Sequence, residues 1–280
     1  TCPLRFAFAY LCRLHPLEEV NEGDDPAAVG QLIHQVLQET YAPYLDRTVH
    51  VGDISPDQLG ARFVAALEAS PLRHQLPPDS YFMLELAGSL RLRRYLERQP
   101  ETMHIVALER CLRAHVDRRE RTYVLRGTLD RIDRRKGALH VLDYKTGGIV
   151  RPKATIWEDT DFWQRMELWT PRSATCNGAE LLAETAEHLP SVQLPCYLLL
   201  CSQAKLGPVR DAAWVHLREN GEEIFLLGED MEEMLRDAVL SIRIPALLGF
   251  IIQHMETTEE FSPRAGQHCG WCPYTTLCLQ

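Results

Sequence analysis

The chain has 280 residues, of which 45% are apolar and 25% are charged, a composition typical of a globular protein. This length allows one large domain with a substantial core, or two small ones. The net charge of −9 argues against a protein that holds nucleic acid by charge alone. No apolar run is long enough to span a bilayer, so we expect no membrane segment and a cytoplasmic protein. The chain opens at Thr1 with no initiator methionine or signal-like segment, and we expect it to be a domain of a longer protein.

The first hundred residues favour helices. Asp25 as N-cap and Pro26 at the first helical position indicate where one of these helices begins. Its apolar stripe has His34 beside it, on a face that apolar spacing directs toward a core. The predicted helices are 3–14, 26–40, 57–69 and 80–98. We therefore expect a helical N-terminal part over residues 1–100.

The next part of the chain predicts a sheet with helices on it. Alternating apolar residues indicate three successive strands of an antiparallel meander, over 103–116, 122–133 and 138–146. A helix over 193–204, a strand over 209–218 and a long helix over 228–250, kinked near Pro245, are predicted to follow. We interpret 101–250 as the core and 154–190 as an insertion, a hairpin or a lid. The tail 257–280 is polar, rich in turns and cysteine-bearing, and the whole chain is interpreted as a single domain.

The segment 127–147 carries the most informative residues of the chain. Asp130 and Asp143 lie on two strands joined by a polar turn, and Lys145 follows two residues after Asp143. Alternation along a strand places Asp143 and Lys145 on one face. Two carboxylates beside one ammonium group can hold a divalent cation and position a water, which is equipment for hydrolysing a phosphodiester. The alternative is an exposed ion pair of little energetic consequence.

Basic residues occur in clusters, which an ordinary solvated surface also explains. The pair that directly follows the Asp143–Lys145 strand is better placed than the others to meet a phosphate backbone. The clusters are Arg91, Arg93 and Arg94; Arg131, Arg134, Arg135 and Lys136; and the pair Arg151 and Lys153.

Nine cysteines are present, and their spacing does not suggest a secreted disulfide framework. Cys269, Cys272 and Cys278 place three thiolates within ten residues, which can wrap a metal ion or a cluster. A four-cysteine site suits zinc as well as iron–sulfur, so spacing leaves both open. The remaining cysteines are interpreted as ordinary small apolar residues: Cys12, Cys111, Cys176, Cys196 and Cys201.

These motifs together resemble a known family. The segments Gly127 to Asp133 and Asp143 to Gly147 resemble the GxxDRID and DYKTG motifs of PD-(D/E)XK nucleases of the RecB and AddB type. Gly30 to His34 is similar to that family's upstream G-x-x-x-H helix, and Gln193 to Tyr197 is similar to its Q-x-x-x-Y helix. The resemblance implies a restriction-endonuclease-like α/β (α+β) fold, with a mixed central sheet flanked by helices.

The resemblance also implies roles for individual residues. Asp130, Asp143 and the backbone carbonyl of Tyr144 would ligate Mg²⁺ or Mn²⁺, and His34 would add a ligand or hold a bound water. Lys145 would orient the attacking water and stabilise developing charge. Gln193 and Tyr197 lie one helical turn apart and would contact the DNA backbone or brace Lys145. Glu109, on a preceding strand, is a further candidate for an acidic contact, with a surface ion pair as the alternative.

In related nucleases one early cysteine and three late ones bind a [4Fe–4S] cluster. The resemblance implies that Cys2, Cys269, Cys272 and Cys278 hold such a structural cluster here, with zinc as the alternative. No nucleotide-binding G-x-x-x-x-G-K-[ST] motif is present, so ATP hydrolysis must come from elsewhere. The resemblance implies an AddB-like nuclease domain that cuts single-stranded DNA, with helicase-like domains in its parent chain or in a partner subunit. The alternatives are a free-standing RecB-like or CRISPR-adaptation nuclease, and a non-catalytic iron–sulfur scaffold that binds DNA.

Overall fold

The computed structural model describes residues 2–15, 26–118, 120–173 and 177–278. Its centre is a mixed sheet of six strands in the order β1-β2-β3-β4-β5-β6. Neighbouring strands are antiparallel except β4 and β5, which are parallel. The strands are β1 (Thr48–His50), β2 (Thr102–Arg118), β3 (Arg121–Arg135), β4 (Ala138–Lys145), β5 (Val209–His216) and β6 (Glu222–Phe225).

Helices surround the sheet. The predicted N-terminal helices are present, and the first of them continues as a π-helical turn over Ala7–Leu11. Asp25, the predicted N-cap, lies outside the described residues, whereas Pro26 begins its helix. The helices are α1 (Pro3–Phe6), α2 (Pro26–Tyr41), α3 (Pro56–Ala69), α4 (Leu72–Gln75), α5 (Pro78–Glu97), α6 (Thr160–Leu168), α7 (Gly178–His188), α8 (Gln193–Gln203), α9 (Glu233–Ala238), α10 (Ile244–Thr257) and α11 (Thr275–Cys278).

Two apolar clusters lie on the two faces of the sheet. On one face, α2, α3 and α5 pack through residues such as Ile33 and Phe63 against Leu142 of β4. On the other face, α6, α8 and α10 pack against Leu139 and Val141 of the same strand. The two-residue alternation predicted for β4 is therefore confirmed, and so is the mixed sheet flanked by helices. Among the described residues, no helix combines the length and apolarity needed to cross a membrane.

The described residues of the insertion 154–190 form helices, so of the two predicted alternatives, a hairpin or a lid, the hairpin is wrong. The insertion contains a 3₁₀ turn over Ala154–Glu158 as well as α6 and α7. The tryptophans among its charges are anchors: Trp157 and Trp163 are buried and stack with ring centroids 5.4 Å apart. They lie in different elements, the 3₁₀ turn and α6, so the packing of these elements and not a helical period brings the two rings together. Asn177 caps α7 by accepting a hydrogen bond from the amide of Ala179.

Other differences from the sequence-based prediction are small and local. The long C-terminal helix spans α9, a π-helical turn over Val239–Arg243, and α10, so its irregularity directly precedes Pro245. The helix ends at Thr257 rather than at residue 250. The short elements β1, β6 and α4 were not predicted, because segments of three or four residues carry too little periodicity to recognise.

Gly221 precedes β6 at a place where no other residue fits. Its φ is +74°, and an added Cβ would lie 2.6 Å from the Cα of Tyr95 on α5. We predict that Gly221→Ala lowers the free energy of unfolding by about 2–4 kcal/mol, because left-handed strain and steric overlap add together. Gly137→Ala is the matched control: its φ is +84°, yet nothing lies within 4 Å of the added carbon. Chemical denaturation measures both, and equal losses would contradict the overlap.

Candidate active site

Asp130 and Asp143 lie where β3 and β4 separate. The ladder between these strands runs to the pair Arg131 and Leu142, and the next position of that register brings Asp130 opposite Asp143. At this position a side chain takes the place of a main-chain acceptor, because the amide of Tyr144 donates a hydrogen bond to Oδ2 of Asp130 at 2.8 Å. Both aspartates are buried, 8% and 2% exposed. The structure therefore brings the two predicted carboxylates together at one edge of the sheet.

His34 reaches this edge from α2. Its Nε2 lies 3.0 Å from the carbonyl oxygen of Tyr144, and its Nδ1 lies 3.4 Å from Oδ2 of Asp130. A neutral imidazole can donate from only one nitrogen, so the other presents its lone pair to an oxygen. The 3.0 Å contact is an ordinary hydrogen-bond distance, and it keeps the imidazole beside the Tyr144 carbonyl and the Asp130 carboxylate.

Glu109 contributes a third carboxylate, which the sequence-based interpretation gave little weight. It lies opposite Asp130 in the β2–β3 register, between the pairs Leu108–Arg131 and Arg110–Leu129. Ligand atoms of His34, Glu109 and Asp130 all lie within 4.8 Å of one another. Burial and then the Asp143 carboxylate raise the pKa of Glu109, although His34 lowers it. The surface ion pair offered as the alternative does not describe this position.

The backbone of Glu109 is also unusual. Its φ is 44°, in the left-handed region that non-glycine residues in strands seldom adopt. Such a conformation costs about 1–3 kcal/mol and is found disproportionately at functional sites. Here it shifts the alternation of β2, so that Ala107 and Leu112 both face the same apolar cluster. Nothing in the local sequence marks this turn of the backbone.

Asp143 is held on two sides. Its Oδ1 accepts hydrogen bonds from Nε2 of Gln193 at 2.9 Å and from the hydroxyl of Tyr197 at 3.3 Å. Nε2 of Gln193 also lies 2.9 Å from that hydroxyl, so the two residues act as one unit on α8. Burial, foremost, and the Asp143 charge raise the pKa of Tyr197, so its hydroxyl keeps its proton and donates. These bonds brace Asp143, whereas the sequence suggested a contact with DNA or with Lys145.

Lys145 completes the group from the end of β4. Its Nζ lies 2.6 Å from Oδ2 of Asp143, and the side chain is 33% exposed. One face of the ammonium group is therefore fixed by Asp143 while the rest is open to solvent. Oδ2 of Asp143 accepts no well-aligned hydrogen bond from the described residues, so this ion pair is its main contact. An ammonium group so placed can contact an anionic oxygen entering the site.

The donor set fits a hard divalent cation. The carboxylates of Asp130 and Glu109 and the carbonyl of Tyr144 are oxygen ligands of the kind that Mg²⁺ and Mn²⁺ prefer, and the facing carboxylate of Asp143 can join them. The imidazole of His34 is the softest donor of the set. Facing carboxylates repel one another without a cation between them. A bound cation would polarise a phosphodiester and acidify water. The residues themselves fix the carboxylates, orient Asp143 and present the Lys145 ammonium group.

Proton binding at Asp130 opposes cation binding. Burial, foremost, and the Asp143 carboxylate raise the pKa of Asp130 to about 6, despite His34 and the Tyr144 amide. We predict that affinity for Mn²⁺ falls by up to about tenfold per pH unit as the pH drops below about 6, because the carboxyl must lose its proton to bind. Since the folded-state pKa lies above the unfolded one, the metal-free protein should also lose stability as the pH rises from about 4 to 6.

Calorimetric titration with Mn²⁺ at several pH values across this range tests the prediction. An affinity that stays constant across this range would contradict it.

A buried charged network beneath the site was not anticipated. Arg131, interpreted from sequence as part of a basic surface cluster, is fully buried. Its guanidinium donates to both oxygens of Asp133 at 2.6 Å and to the hydroxyl of Tyr95 at 2.8 Å. The Tyr95 hydroxyl lies 3.3 Å from that of Tyr144, whose carbonyl faces His34. The Asp-Arg-Ile-Asp segment therefore supplies one active-site carboxylate and a buried support for its neighbouring strand.

Several of the predicted basic positions are neutralised. Arg93 pairs with Asp57 at 2.6 Å, and Arg135 pairs with Glu223 at 2.6 Å. Arg151, which the sequence placed to meet a phosphate backbone, pairs with Glu222 at 2.7 Å. Lys153 is exposed.

In the described residues, the N-terminal segment contacts the C-terminal tail. Cys2 is buried, and its Sγ accepts from the amide of Arg264 at 3.3 Å. Although burial raises it, backbone hydrogen bonds lower the pKa of the Cys2 thiol below its ordinary value, which favours a thiolate. The hydroxyl of Tyr274 donates to the carbonyl of Leu14 at 2.7 Å, tying the tail to the N-terminal segment.

The four predicted cluster cysteines are arranged loosely. Cys269 and Cys278 are exposed and Cys272 is half-buried. In the described part of the chain, no three of these sulfur atoms lie within 4.8 Å of one another. Four sulfurs around one zinc ion, each about 2.3 Å from it, lie closer together than that. Among the other cysteines, Cys201 is buried and Cys196 half-buried as expected, Cys12 and Cys111 are exposed, and Cys176 lies outside the described residues.

A scan against protein families matched residues 1–164 and 173–279 to the model of the PD-(D/E)XK nuclease superfamily. A search of curated proteins found no match. The matched ranges cover nearly the whole chain and include the converging acids, His34, Lys145, Gln193 and Tyr197. The chain therefore belongs to the PD-(D/E)XK nuclease superfamily.

Proposed function

We propose that this chain is a deoxyribonuclease that uses Mg²⁺ or Mn²⁺ to hydrolyse phosphodiester bonds of single-stranded DNA. The observation that carries the proposal is the convergence of Asp130, Asp143 and Lys145 with the His34 imidazole at one sheet edge. A structural ion pair on a strand does not require ligand atoms of a histidine and two further acids within 4.8 Å of one another. Membership of a superfamily of metal-dependent nucleases agrees with this chemistry.

The active-site residues have separate roles in the proposed reaction. His34, Glu109 and Asp130, with the Tyr144 carbonyl, would hold the cation against the scissile phosphate. Asp143 would join them from the facing strand. Gln193 and Tyr197 keep Asp143 in one orientation through its Oδ1. The Lys145 ammonium group would orient the attacking water and stabilise charge that grows on the phosphoryl oxygens. In-line attack on phosphorus then releases one strand end as the alcohol and the other as the phosphate.

We further propose that the chain is the nuclease domain of an AddB-like subunit of a cytoplasmic helicase–nuclease that processes double-strand breaks. The order of the His34, Asp130, Asp143–Lys145 and Gln193–Tyr197 motifs supports this, as does the meeting of Cys2 with the tail. A net charge of −9 agrees with a domain whose DNA is delivered by a partner subunit or by neighbouring domains. A free-standing RecB-like or CRISPR-adaptation nuclease would use the same site.

A nuclease assay tests the catalytic proposal. End-labelled single-stranded and double-stranded DNA would be incubated with Mg²⁺ and either wild-type protein or Asp143→Ala. We expect the wild type to degrade the single strand faster than the duplex, and the variant to degrade neither. Equal degradation by both proteins would reject the catalytic assignment, while binding without degradation by either would favour the scaffold alternative.

A [4Fe–4S] cluster on Cys2, Cys269, Cys272 and Cys278 is part of the proposal, with a structural role. It would join the ends of the domain, close a long loop and restrict the unfolded chain. Protein purified without oxygen should be brown, with broad visible absorbance and about four iron atoms per chain. Cys272→Ser should lose the colour, whereas the control Cys12→Ser should keep it. Colourless protein containing zinc would establish the alternative metal.

A further inference from the structure

The β2–β3 hairpin extends well beyond the metal-ligand edge and exposes one face. Alternation directs Leu112 and Ala114 into the core on α8 and leaves their neighbours on the other face. On that face Cys111 pairs with Thr128, and Arg113 pairs with Arg126. We call these four residues the hairpin strip: Cys111, Arg113, Arg126 and Thr128. All four are exposed.

The strip carries two positive charges that are not neutralised. Arg113 and Arg126 are directly opposite each other in the ladder, where like charges are unfavourable. In the described ranges neither forms a salt bridge, in contrast to Arg93, Arg135 and Arg151. A carboxylate on the same face, Asp117, lies farther along β2 and accepts a hydrogen bond from the hydroxyl of Thr122. On a chain with a net charge of −9, such a pair is a local anion site.

The strip also has some internal order. Nε of Arg126 donates to Sγ of Cys111 at 3.3 Å, which holds the guanidinium along the ladder. Arg126, foremost, with contributions from Thr128 and Arg113, lowers the pKa of the Cys111 thiol. The four side chains are therefore linked by a hydrogen bond and by electrostatic interactions into one electropositive patch. A set of independent surface arginines would lack these links.

The strip leads directly to the catalytic edge. Thr128 precedes Asp130 by two residues and Cys111 follows Glu109 by two, so the strip begins one ladder step from the carboxylates. Arg126 is four residues from Asp130, which is about 13 Å along a strand. Two to four nucleotides of a single strand cover that distance, depending on how far it is stretched beyond the roughly 3.4 Å rise of stacked bases.

We propose that Arg113 and Arg126 form a phosphate subsite that holds a DNA strand two to four nucleotides from the bond that is cut. This inference rests on the proposed function. Guanidinium groups bind phosphate oxygens in a bidentate manner, and a phosphate between these two would remove their mutual repulsion. The occupant is the strand itself, because the strip lies on the same two strands as Glu109 and Asp130 and its two arginines form no salt bridge among the described residues.

The test is binding of a labelled single strand of about twelve nucleotides without divalent metal, measured by fluorescence anisotropy from about 50 to 200 mM salt. Arg113→Gln/Arg126→Gln should raise Kd roughly tenfold. The slope of log Kd against log salt should fall by about 1.4, since each phosphate contact with a single strand contributes about 0.7. Arg113→Lys/Arg126→Lys should retain most of the slope and lose part of the affinity.

The matched control is Arg62→Gln/Arg94→Gln, which removes the same charge from exposed positions on α3 and α5. It should leave Kd within about twofold of the wild type and the slope unchanged. An equal loss in both double variants, or an unchanged slope in the first, would overturn the subsite while leaving the nuclease assignment intact. A wild-type protein that neither binds nor cleaves DNA would overturn both. Thermal unfolding of each variant confirms that the exposed substitutions leave the fold in place.

Discussion

Replacing Lys145 by glutamine is expected to lower the cleavage rate by about 10²- to 10³-fold without weakening metal binding. The ammonium group lies 2.6 Å from Asp143 and is partly open to solvent, so it can reach charge that develops on the phosphate. Removal of one such preorganised donor typically costs two to three orders of magnitude. Because Lys145 competes with a cation for Oδ2 of Asp143, its removal should leave Mn²⁺ affinity equal or higher.

Single-turnover cleavage and calorimetric titration separate these two effects. Asp143→Asn should lose both rate and metal affinity, because it removes a ligand. Lys205→Gln is the matched control: it removes a lysine charge at an exposed position after the end of α8 and should retain wild-type rates. A Lys145→Gln protein whose rate and metal affinity fall together would show that Lys145 assembles the metal site instead of acting on the phosphate.

Replacing Asp133 by alanine is expected to destabilise the protein by about 3–5 kcal/mol, a large part of a typical folding free energy. Asp133 is fully buried and accepts from Arg131 and from Arg135. Although burial opposes it, the Asp133 charge holds the pKa of Arg131 well above its ordinary value, so the guanidinium is buried as a cation. Removing Asp133 leaves that cation facing the aromatic ring of Tyr41, 4.3 Å away, without a counter-ion.

Urea denaturation measures the loss. Arg131→Met/Asp133→Leu should recover most of it, since an apolar pair needs no compensation, and it remains informative if Asp133→Ala does not fold. Arg93→Ala is the surface control: its ion pair with Asp57 has the same 2.6 Å distance but is exposed, and its loss should cost less than about 1 kcal/mol. Similar losses of unfolding free energy in Asp133→Ala and Arg93→Ala would contradict the conclusion that burial makes the Arg131–Asp133 ion pair costly to break.

The buried network also connects stability with activity. Tyr95 touches Arg131 on one side and the Tyr144 hydroxyl on the other, and the Tyr144 main chain contacts both Asp130 and His34. Variants that disturb Arg131 or Asp133 should therefore lose metal affinity as well as stability. Surface variants of equal destabilisation should not.

The amino-acid sequence by itself determined the elements and the chemistry. Two-residue alternation in β4 is enough to place Asp143 and Lys145 on one face, and helical spacing is enough to put Gln193 beside Tyr197. Long amphipathic helices and strands can likewise be predicted from sequence, because each repeats its apolar spacing several times. Segments as short as β1 and β6 cannot be recognised in this way. The segment 154–190, with its tryptophans and turn signals, was interpreted as a hairpin or a lid, whereas the structure has helices there.

Only the tertiary structure decided which charges are buried, paired or free. Arg131 and Arg126 lie five residues apart in one basic stretch of β3, yet one is enclosed by Asp133 and Tyr95 while the other faces solvent beside Cys111. Glu109 became part of the site through its position opposite Asp130 in the β2–β3 register, with a left-handed backbone angle that the sequence does not show. Periodicity is a local property that a sequence displays directly. Burial and charge pairing depend on residues distant along the chain, such as His34 and Tyr144, which meet only when the sheet and its helices assemble.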